Sequence, residues 1–345
     1  MFSEFKTFPT IEEIEIPEPA AGEVLLKVAG AGACHSDVAI FQDFESDPNG
    51  GLMTPPFVLG HETSGWVERL GPGVRGLEVG APFLAYGPIG CGHCKACSRG
   101  QDTYCEHTAE VGYLGMGLGR NGGMAEYMTV PVRNLVPLGD ADPVAAAPLA
   151  DAGLTPYHAI KMALPKLAGG GKHALVIGLG GLGLIAVQIV RAITGAEVIA
   201  TDLKPQAMAR AREFGAVTIE GGPDQAQQIR ELTGGRGVDA AFDFVGANPT
   251  IALAQATVAL RGAVQIVGIA GGTAQWSFFT NPYEATLTNS YWGTIEDLHE
   301  VVELYRSGLI IPDVERFTMD DALEAYRRLR DGELDARAVV VPQPS

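Results

Sequence analysis

Four of the chain's five cysteines lie within fifteen residues and have the spacing of a metal site. They are Cys91, Cys94, Cys97 and Cys105, separated by two, two and seven residues. Two-residue gaps let successive thiolates converge on one point, and the longer return closes a loop around that point. Zn²⁺ binds four thiolates in a tetrahedron, and a structural site of this kind keeps no open position. The spacing therefore predicts a closed, structural zinc lobe at about residues 88–108.

The alternative for these four cysteines is a pair of disulfides, which four cysteines can form in three ways. Disulfide frameworks belong to small secreted domains, whereas a chain of 345 residues buries a large core without them. The first residues are polar, of mixed charge, and lack the apolar segment of a signal peptide. The sequence thus favours zinc over disulfides, and we expect a cytoplasmic protein.

The fifth cysteine, Cys34, lies far upstream in the run Cys34-His35-Ser36-Asp37. A thiol, an imidazole, a hydroxyl and a carboxyl in one short run are groups that bind a metal and move a proton. The two groups of cysteines therefore predict two different sites, of which one is closed and structural and the other open and catalytic. Asp37 is interpreted as a carboxylate that stabilises the fold near the open site.

A glycine-rich run follows a short apolar segment and opens a helical pattern. It reads Gly178-Leu179-Gly180-Gly181-Leu182-Gly183, in which the glycines of a G-x-G-x-x-G motif allow a tight turn, a close approach of pyrophosphate and close packing of helix on strand. Asp202 stands nineteen residues beyond Gly183, where a carboxylate binds the adenosine ribose and repels a 2′-phosphate. The run predicts a dinucleotide site that prefers NAD to NADP. The alternative for Asp202 is a helix N-cap, and the two roles are compatible.

Two kinds of sequence pattern predict the elements that must position these residues. Residues 1–147 are rich in glycine, proline and short β-type runs, which predict a barrel-like β domain with the zinc lobe as one loop. Residues 148–289 alternate strand and helix, which predicts a parallel, doubly wound sheet, and residues 290–345 are expected to return to the first domain. The predicted strands of the second and third segments are 174–177, 197–201, 216–219, 239–245, 264–269 and 338–341, and the predicted helices are 182–190, 206–214, 251–260, 295–307 and 320–330.

Composition and charge exclude some partners. Hydrophobic residues make up 46% of the chain and charged residues 19%, as in ordinary globular proteins. The net charge of −17 argues against nucleic acid or an anionic membrane as partner, because phosphate binding needs a basic face. The apolar runs are too short, or too interrupted by Gly and Gln, to predict a membrane span.

The order of the motifs resembles that of medium-chain zinc-dependent alcohol dehydrogenases. The motifs are Cys34 to Asp37, Gly60-His61-Glu62, the four-cysteine lobe and the glycine-rich run. The runs at residues 147–159 and 291–294 are similar to those of bacterial NAD-dependent secondary alcohol dehydrogenases. The resemblance covers nearly the whole chain. It implies an α/β protein with a GroES-like β-barrel catalytic domain and a doubly wound Rossmann domain, two zinc ions per subunit, NAD, and a homodimer or homotetramer.

The resemblance also implies a role for each site residue. Cys34, His61 and Asp151 would bind the catalytic zinc, in the family's variant with aspartate as third ligand, and Glu62 is the carboxylate beside the metal. Ser36 would pass the proton between alcohol and cofactor ribose, because its hydroxyl matches that position in relatives. The resemblance places four further residues beside the cofactor: His35, Thr155, Gly268 and Ile269. It places Ala39, Met53 and Trp292 around the substrate. Phe278 and Phe279 would face a neighbouring subunit.

One departure concerns Ala39, which stands where many relatives carry a histidine that ends the proton relay. The alternatives for the ligands are a core thiol for Cys34, a satisfied buried histidine for His61 and a helix cap for Asp151. The resemblance implies hydride transfer between NAD and a secondary alcohol or ketone with apolar or aryl groups. The competing functions are a primary alcohol dehydrogenase, a zinc-free quinone reductase-type enzyme and a non-catalytic NAD-binding protein.

Overall fold

The structure is a computed structural model of the chain, and it describes residues 1–342. The strands are β1 Glu23–Gly32, β2 Glu62–Leu70, β3 Pro82–Ala85, β4 Gly115–Met116, β5 Gly119–Arg120, β6 Tyr127–Pro131, β7 Leu135–Pro137, β8 His173–Ile177, β9 Glu197–Thr201, β10 Val217–Thr218, β11 Val238–Asp243, β12 Val258–Ile266, β13 Thr286–Asn289, β14 Val314–Thr318 and β15 Arg337–Val341. The α-helices are α1 His35–Val38, α2 Thr108–Val111, α3 Pro143–Ala146, α4 Leu154–Leu167, α5 Gly181–Ile193, α6 Pro205–Glu213, α7 Gln225–Leu232, α8 Asn248–Thr257, α9 Ile295–Arg306 and α10 Ala322–Arg330.

The chain folds as two compact units, each built from separated segments. Unit 1 comprises Met1–Leu154, Gly293–Arg306 and the segment from Pro312 to the end of the described residues. Unit 2 comprises Thr155–Trp292 and the short segment Ser307–Ile311. Within residues 1–342, no helix is long and apolar enough to cross a membrane.

Unit 1 is organised around β1, which pairs with β2 and β6 and also with β15 from late in the chain. Its seven-stranded sheet runs β14-β15-β1-β2-β3-β7, and β6 also pairs with β1. All pairs made by β1 are antiparallel. Val24, Leu26 and Val28 alternate along β1 and are fully buried, packing against Val67 and Met128. This period of two places one face of the strand in the core.

Unit 2 contains a six-stranded parallel sheet in the order β10-β9-β8-β11-β12-β13. The order reverses between β8 and β11, which is the switch point where open α/β sheets bind their ligands. The glycine-rich run leaves β8 at this point and opens α5. The predicted fold class, a β-barrel-type domain with a doubly wound Rossmann domain, is confirmed.

Several predicted limits in unit 2 are wrong. The helix predicted at 251–260 ends at Thr257, because Val258 is buried in register with Val238 of β11 and begins β12. The strand predicted at 239–245 ends at Asp243, whose carboxylate accepts hydrogen bonds from the N–H groups of Val245 and Gly246 and turns the chain. In addition, β12 ends at residue 266 rather than 269, and α4, α7, β13 and β14 were not predicted.

Candidate active site

The three residues of the predicted open metal site come together at the ends of two paired strands. Strands β1 and β2 are antiparallel, with Gly32 opposite Glu62, so the end of β1 lies beside the start of β2. Cys34 follows β1 as the N-cap of α1, and His61 directly precedes β2. Asp151 follows a short turn of 3-10 helix at residues 147–150 that packs against both strands.

The ligand atoms of Cys34, His61 and Asp151 all lie within 4.8 Å of one another. The Asp151 Oδ2 atom is 3.5 Å from the Cys34 sulfur and 3.6 Å from His61 Nε2. Zinc bond lengths of about 2.0–2.3 Å in a tetrahedron require ligand atoms roughly 3.3–3.8 Å apart. The spacings therefore fit a tetrahedral zinc with three protein ligands and a fourth position for water or substrate.

The electrostatic surroundings of His61 favour a positive charge. His61 and Asp37 are buried, and the His61 Nδ1 atom lies 3.0 Å from Asp37 Oδ1. Burial disfavours the imidazolium, but the charges of Asp37 and hydrogen bonding to Asp151 outweigh this effect and raise the pKa of His61 well above its ordinary value. A metal cation bound at Nε2 would supply the positive charge that these carboxylates favour.

Glu62 forms a buried ion pair with Arg337. The Arg337 Nε atom donates to Glu62 Oε2 at 3.0 Å, and a second guanidinium nitrogen donates to Oε1. The Ala152 N–H also donates to Oε1 at 3.2 Å, beside Asp151. Burial raises the pKa of Glu62, and the charge of Arg337 opposes that rise. In this arrangement Glu62, at the start of β2, contacts β15 through Arg337 and the peptide group that joins Asp151 to Ala152.

The four cysteines of the predicted lobe also come together. Their sulfur atoms lie within 4.8 Å of one another, and all four thiols are free of disulfides. Backbone N–H groups point at the sulfurs: Cys94 N donates to Cys91 at 3.3 Å and Cys97 N to Cys94 at 3.4 Å. Backbone hydrogen bonds from Cys97 and Glu106 lower the pKa of the Cys94 thiol to about 6. Burial has the opposite effect on Cys97 and raises the pKa of its thiol well above the ordinary value. Cys94 is therefore the thiol of the lobe that most readily becomes a thiolate, the form that binds Zn²⁺.

The lobe is tied to the chain just after Trp292. The hydroxyls of Tyr86 and Thr103 each lie 2.7 Å from the Gly293 carbonyl oxygen, and the Ile295 N–H donates to the Gly100 carbonyl at 3.1 Å. Trp292 has φ of +50°, which is strained for a bulky side chain. The hydroxyl pair holds the carbonyl that follows this strained residue.

The glycine-rich run has the geometry that its motif predicts. Gly178 has φ of +85°, a conformation that favours glycine. A Cβ on Gly183 would stand 1.8 Å from the Gly178 carbonyl oxygen, so only glycine lets helix α5 begin this close to the strand. Asp202 accepts hydrogen bonds from Leu179 N at 2.6 Å and from Lys204 N at 2.8 Å. The carboxylate therefore joins the glycine run to the turn before α6, while the N-cap of α6 is Lys204.

Comparisons with known proteins identify the family. A model described as the alcohol dehydrogenase GroES-like domain matches residues 20–140, and one described as zinc-binding dehydrogenase matches residues 181–307. The crystal structure of the alcohol dehydrogenase from the hyperthermophilic archaeon Aeropyrum pernix is similar, with a TM-score of 0.90 and 34% identity over 99% of this chain and 98% of that one. This chain belongs to the medium-chain zinc-dependent alcohol dehydrogenase family. The resemblance inferred from the motifs is confirmed.

Other members of the family differ in substrate and nucleotide. The D-arabinose 1-dehydrogenase (NADP(+)) of Saccharolobus solfataricus is 32% identical over 96% of this chain and 94% of its own length. The acetophenone reductase of Geotrichum candidum, solved in complex with NAD, has a TM-score of 0.84 and 35% identity over 96% of this chain and 93% of that one. Substrate and nucleotide preference must therefore come from side chains that vary within the family.

The remaining residues predicted for the site of this family member lie in both units. In unit 1, Ser36 Oγ is 3.2 Å from His61 Nε2, next to the candidate ligands, and His35 is exposed on α1. Ala39 and Met53 are buried in the same unit. In unit 2, Thr155 and Trp292 are buried, Gly268 and Ile269 follow β12, and Ile269, Phe278 and Phe279 are exposed.

Two residues at the site were missed from the sequence. Arg337 opens an otherwise apolar strand, and a charged residue in such a strand is the signal that indicates a buried partner. Tyr326 lies in the amphipathic helix α10, and its buried hydroxyl donates to Asp37 Oδ2 at 3.0 Å. No spacing in the sequence marks Tyr326, because its partner is 289 residues away.

Proposed function

We propose that the protein transfers a hydride between NAD(H) and a secondary alcohol/ketone pair that carries apolar or aryl groups. The observation that carries this proposal is the cluster of Cys34, His61 and Asp151, whose spacings fit a zinc with one open position. An open position beside a proton-carrying hydroxyl is what alcohol oxidation needs. This cluster also argues against a zinc-free quinone reductase-type enzyme and against a protein that binds NAD without turnover.

When bound, zinc would act as a Lewis acid on the substrate oxygen, and NAD would exchange the hydride. Cys34 and Asp151 would bring two negative charges to the metal, and His61 would bind through Nε2. The Ser36 hydroxyl, 3.2 Å from Nε2, is positioned to take the proton of the substrate hydroxyl. Because Ala39 replaces the histidine that many relatives use, the proton would leave Ser36 through the cofactor ribose or water.

The preference for NAD over NADP is proposed from Asp202. Its two carboxylate oxygens each accept one backbone N–H, which holds the side chain at the carboxyl end of β9. Each oxygen keeps a second lone pair for a ribose hydroxyl. The same negative charge would repel a 2′-phosphate. His35, Thr155, Gly268 and Ile269 are proposed as further cofactor contacts.

The substrate class is proposed from the side chains that the family resemblance assigns to the substrate. Ala39 and Met53 in unit 1 are small or apolar and buried, Trp292 in unit 2 is also buried, and none of the three carries a charge that would suit a polyol. The reductase with 35% identity that is named for acetophenone supports an aryl ketone. A second candidate function is oxidation of an aldose with NADP, which the relative named for D-arabinose supports.

A screen with parallel zinc quantitation tests the proposal. We expect about two zinc ions per subunit, and the highest kcat/KM for 1-phenylethanol or acetophenone with NAD(H), above ethanol and above D-arabinose with either nucleotide. Ser36→Ala should lose about 10²–10⁴ in kcat while both zinc ions remain bound. Ser98→Ala, which removes a hydroxyl bonded to a lobe carbonyl, is the matched control. Turnover of D-arabinose with NADP alone would establish the second candidate instead.

We also propose the assembly and the domain limits. Strand β13 ends the six-stranded sheet, so its outer backbone groups are available to a second copy, and the exposed Phe278 and Phe279 precede it. A homodimer or homotetramer is therefore expected, and light scattering of the purified protein tests it.

We also propose domain limits at 1–147, 148–289 and 290–345. A cytoplasmic location is part of the same proposal, and the five free cysteines are consistent with it.

A further inference from the structure

The carboxylate of Asp37 is fully buried and faces three polar groups, from Cys34, His61 and Tyr326. Its Oδ2 atom accepts the Cys34 N–H at 3.1 Å and the Tyr326 hydroxyl at 3.0 Å. Its Oδ1 atom lies 3.0 Å from His61 Nδ1. A buried carboxylate must have such partners, because leaving it without them is costly. Asp37 therefore stands between two candidate zinc ligands and one tyrosine.

Tyr326 is held in place to act as a donor. It lies on α10 and is 2% exposed, and its ring packs edge-on against Phe41 with centroids 5.7 Å apart. Phe41 is in the helical turn that directly follows α1, so the ring contacts the segment that carries Asp37. Burial, together with the charge of Asp37, raises the pKa of Tyr326 well above its ordinary value. The phenol keeps its proton and donates it to the carboxylate.

Two donors on one oxygen fix the plane of a carboxylate. With Oδ2 held by Cys34 N–H and the Tyr326 hydroxyl, Oδ1 is left to face His61 Nδ1. A proton on Nδ1 then leaves the lone pair of Nε2 for the metal, and the ring orientation is fixed. We propose that Tyr326 is a positioning residue for the catalytic zinc, acting through Asp37 on His61 and on the backbone of Cys34. The inference rests on the proposed zinc site.

Tyr326→Phe tests the inference because it removes one oxygen and keeps the ring. In the zinc-loaded full-length protein, we expect about tenfold weaker binding of one zinc ion in competition with a chelator. The second, four-cysteine zinc should be released as in the wild type. The absorption bands of Co²⁺ substituted at the weaker site should shift. Tyr305→Phe is the matched control, since the Tyr305 hydroxyl donates to the Asp142 carbonyl elsewhere in unit 1.

A purely structural tyrosine would lower the melting temperature of Tyr326→Phe without changing zinc affinity or the Co²⁺ spectrum, and that result would overturn the inference. A double-mutant cycle with Asp37→Asn gives a second criterion. If Tyr326 acts through Asp37, the loss of zinc affinity in the double variant should be smaller than the sum of the two single losses. Additive losses would contradict the proposal.

These readouts separate the inference from the proposed function. Zinc affinity is measured without any alcohol, so two bound zinc ions with no alcohol turnover would refute the function and leave the test of Tyr326 intact. A wild-type protein that binds no zinc ion at Cys34, His61 and Asp151 would overturn both. Two zinc ions, full turnover and an unchanged Tyr326→Phe would overturn the inference alone.

Discussion

Replacement of Arg337 by Met should destabilise unit 1 strongly, because it leaves the buried Glu62 carboxyl without its counter-charge, and the carboxyl must then either stay ionised without a partner or take up a proton. Both side chains are almost entirely buried, at 5% and 0% exposure. The change removes two charge-assisted hydrogen bonds and keeps an unbranched apolar side chain in place of the aliphatic stem of arginine. The Ala152 N–H remains as a donor to Glu62.

The expected loss follows from what is left behind. Breaking a buried ion pair at one partner costs about 3–5 kcal/mol. The remaining donor from Ala152 places Arg337→Met at the lower end of that range, at about 3 kcal/mol. Replacing both partners, as in Glu62→Met with Arg337→Met, removes the unpaired buried carboxyl, and pairs exchanged for apolar residues are often neutral in stability. The double variant should therefore be more stable than the single variant.

Differential scanning calorimetry of the zinc-loaded protein is the assay, because it resolves the melting of the two units if they unfold separately. Arg327→Met is the matched control. Arg327 makes three ion pairs, with Glu324, Asp331 and Glu333, yet it lies at the surface of α10. Exposed pairs contribute little, so this variant should melt close to the wild type.

The relative stabilities of the three variants test this reasoning. If Arg327→Met lowered the melting temperature as much as Arg337→Met, the number of ion pairs rather than their burial would determine stability. If the double variant were less stable than Arg337→Met, the unpaired carboxyl of Glu62 would not be the cause of the loss. Either result would refute the reasoning.

Three further predictions concern other parts of the molecule. Asp202→Asn should raise KM for NAD and narrow the ratio of kcat/KM between NAD and NADP, and an unchanged ratio would contradict its role. Cys94→Ser should lose one of the two zinc ions and lower the melting temperature; full zinc content at wild-type stability would exclude the structural site. Burial opposes ionisation of Asp239, but hydrogen bonds from Arg236, the His173 N–H and Lys172 outweigh it and lower its pKa to about 2. The stabilisation is therefore present above about pH 4 and lost as pH falls through 2. Asp239→Asn should cost about 1–2 kcal/mol near neutral pH after allowance for solvent screening. Chemical denaturation should show a much smaller difference in stability between the variant and the wild type at pH 2 than at pH 7.

The parts of the site that the sequence predicted are those set by local spacing. The gaps between Cys91 and Cys105 and the glycine run after β8 depend on a few neighbouring residues, so their geometry follows from the chain itself. Cys34 and His61 meet because two strands pair in one register, and only the resemblance to a family supplied Asp151 as their partner.

The parts that were missed depend on contacts between distant segments. Arg337 contacts Glu62 from β15, and Tyr326 contacts Asp37 from α10. No periodic pattern in the sequence marks either residue. In the same way, β12 begins at Val258 because it pairs with β11, although the helical pattern of the sequence continues to residue 260. Tertiary pairing overrides local propensity at such points.

The pairing of β1 with β15 has a consequence for how the protein is made. All seven candidate zinc ligands precede residue 152, whereas Tyr326 and Arg337 leave the ribosome much later. At the usual 5–20 residues per second, roughly 15–60 seconds separate the synthesis of β1 from that of β15. All of unit 2 is made within that interval. A chain that stopped before α10 would carry every ligand and lack the two side chains that hold Glu62 and Asp37, so zinc loading of the open site would report whether synthesis had passed β15.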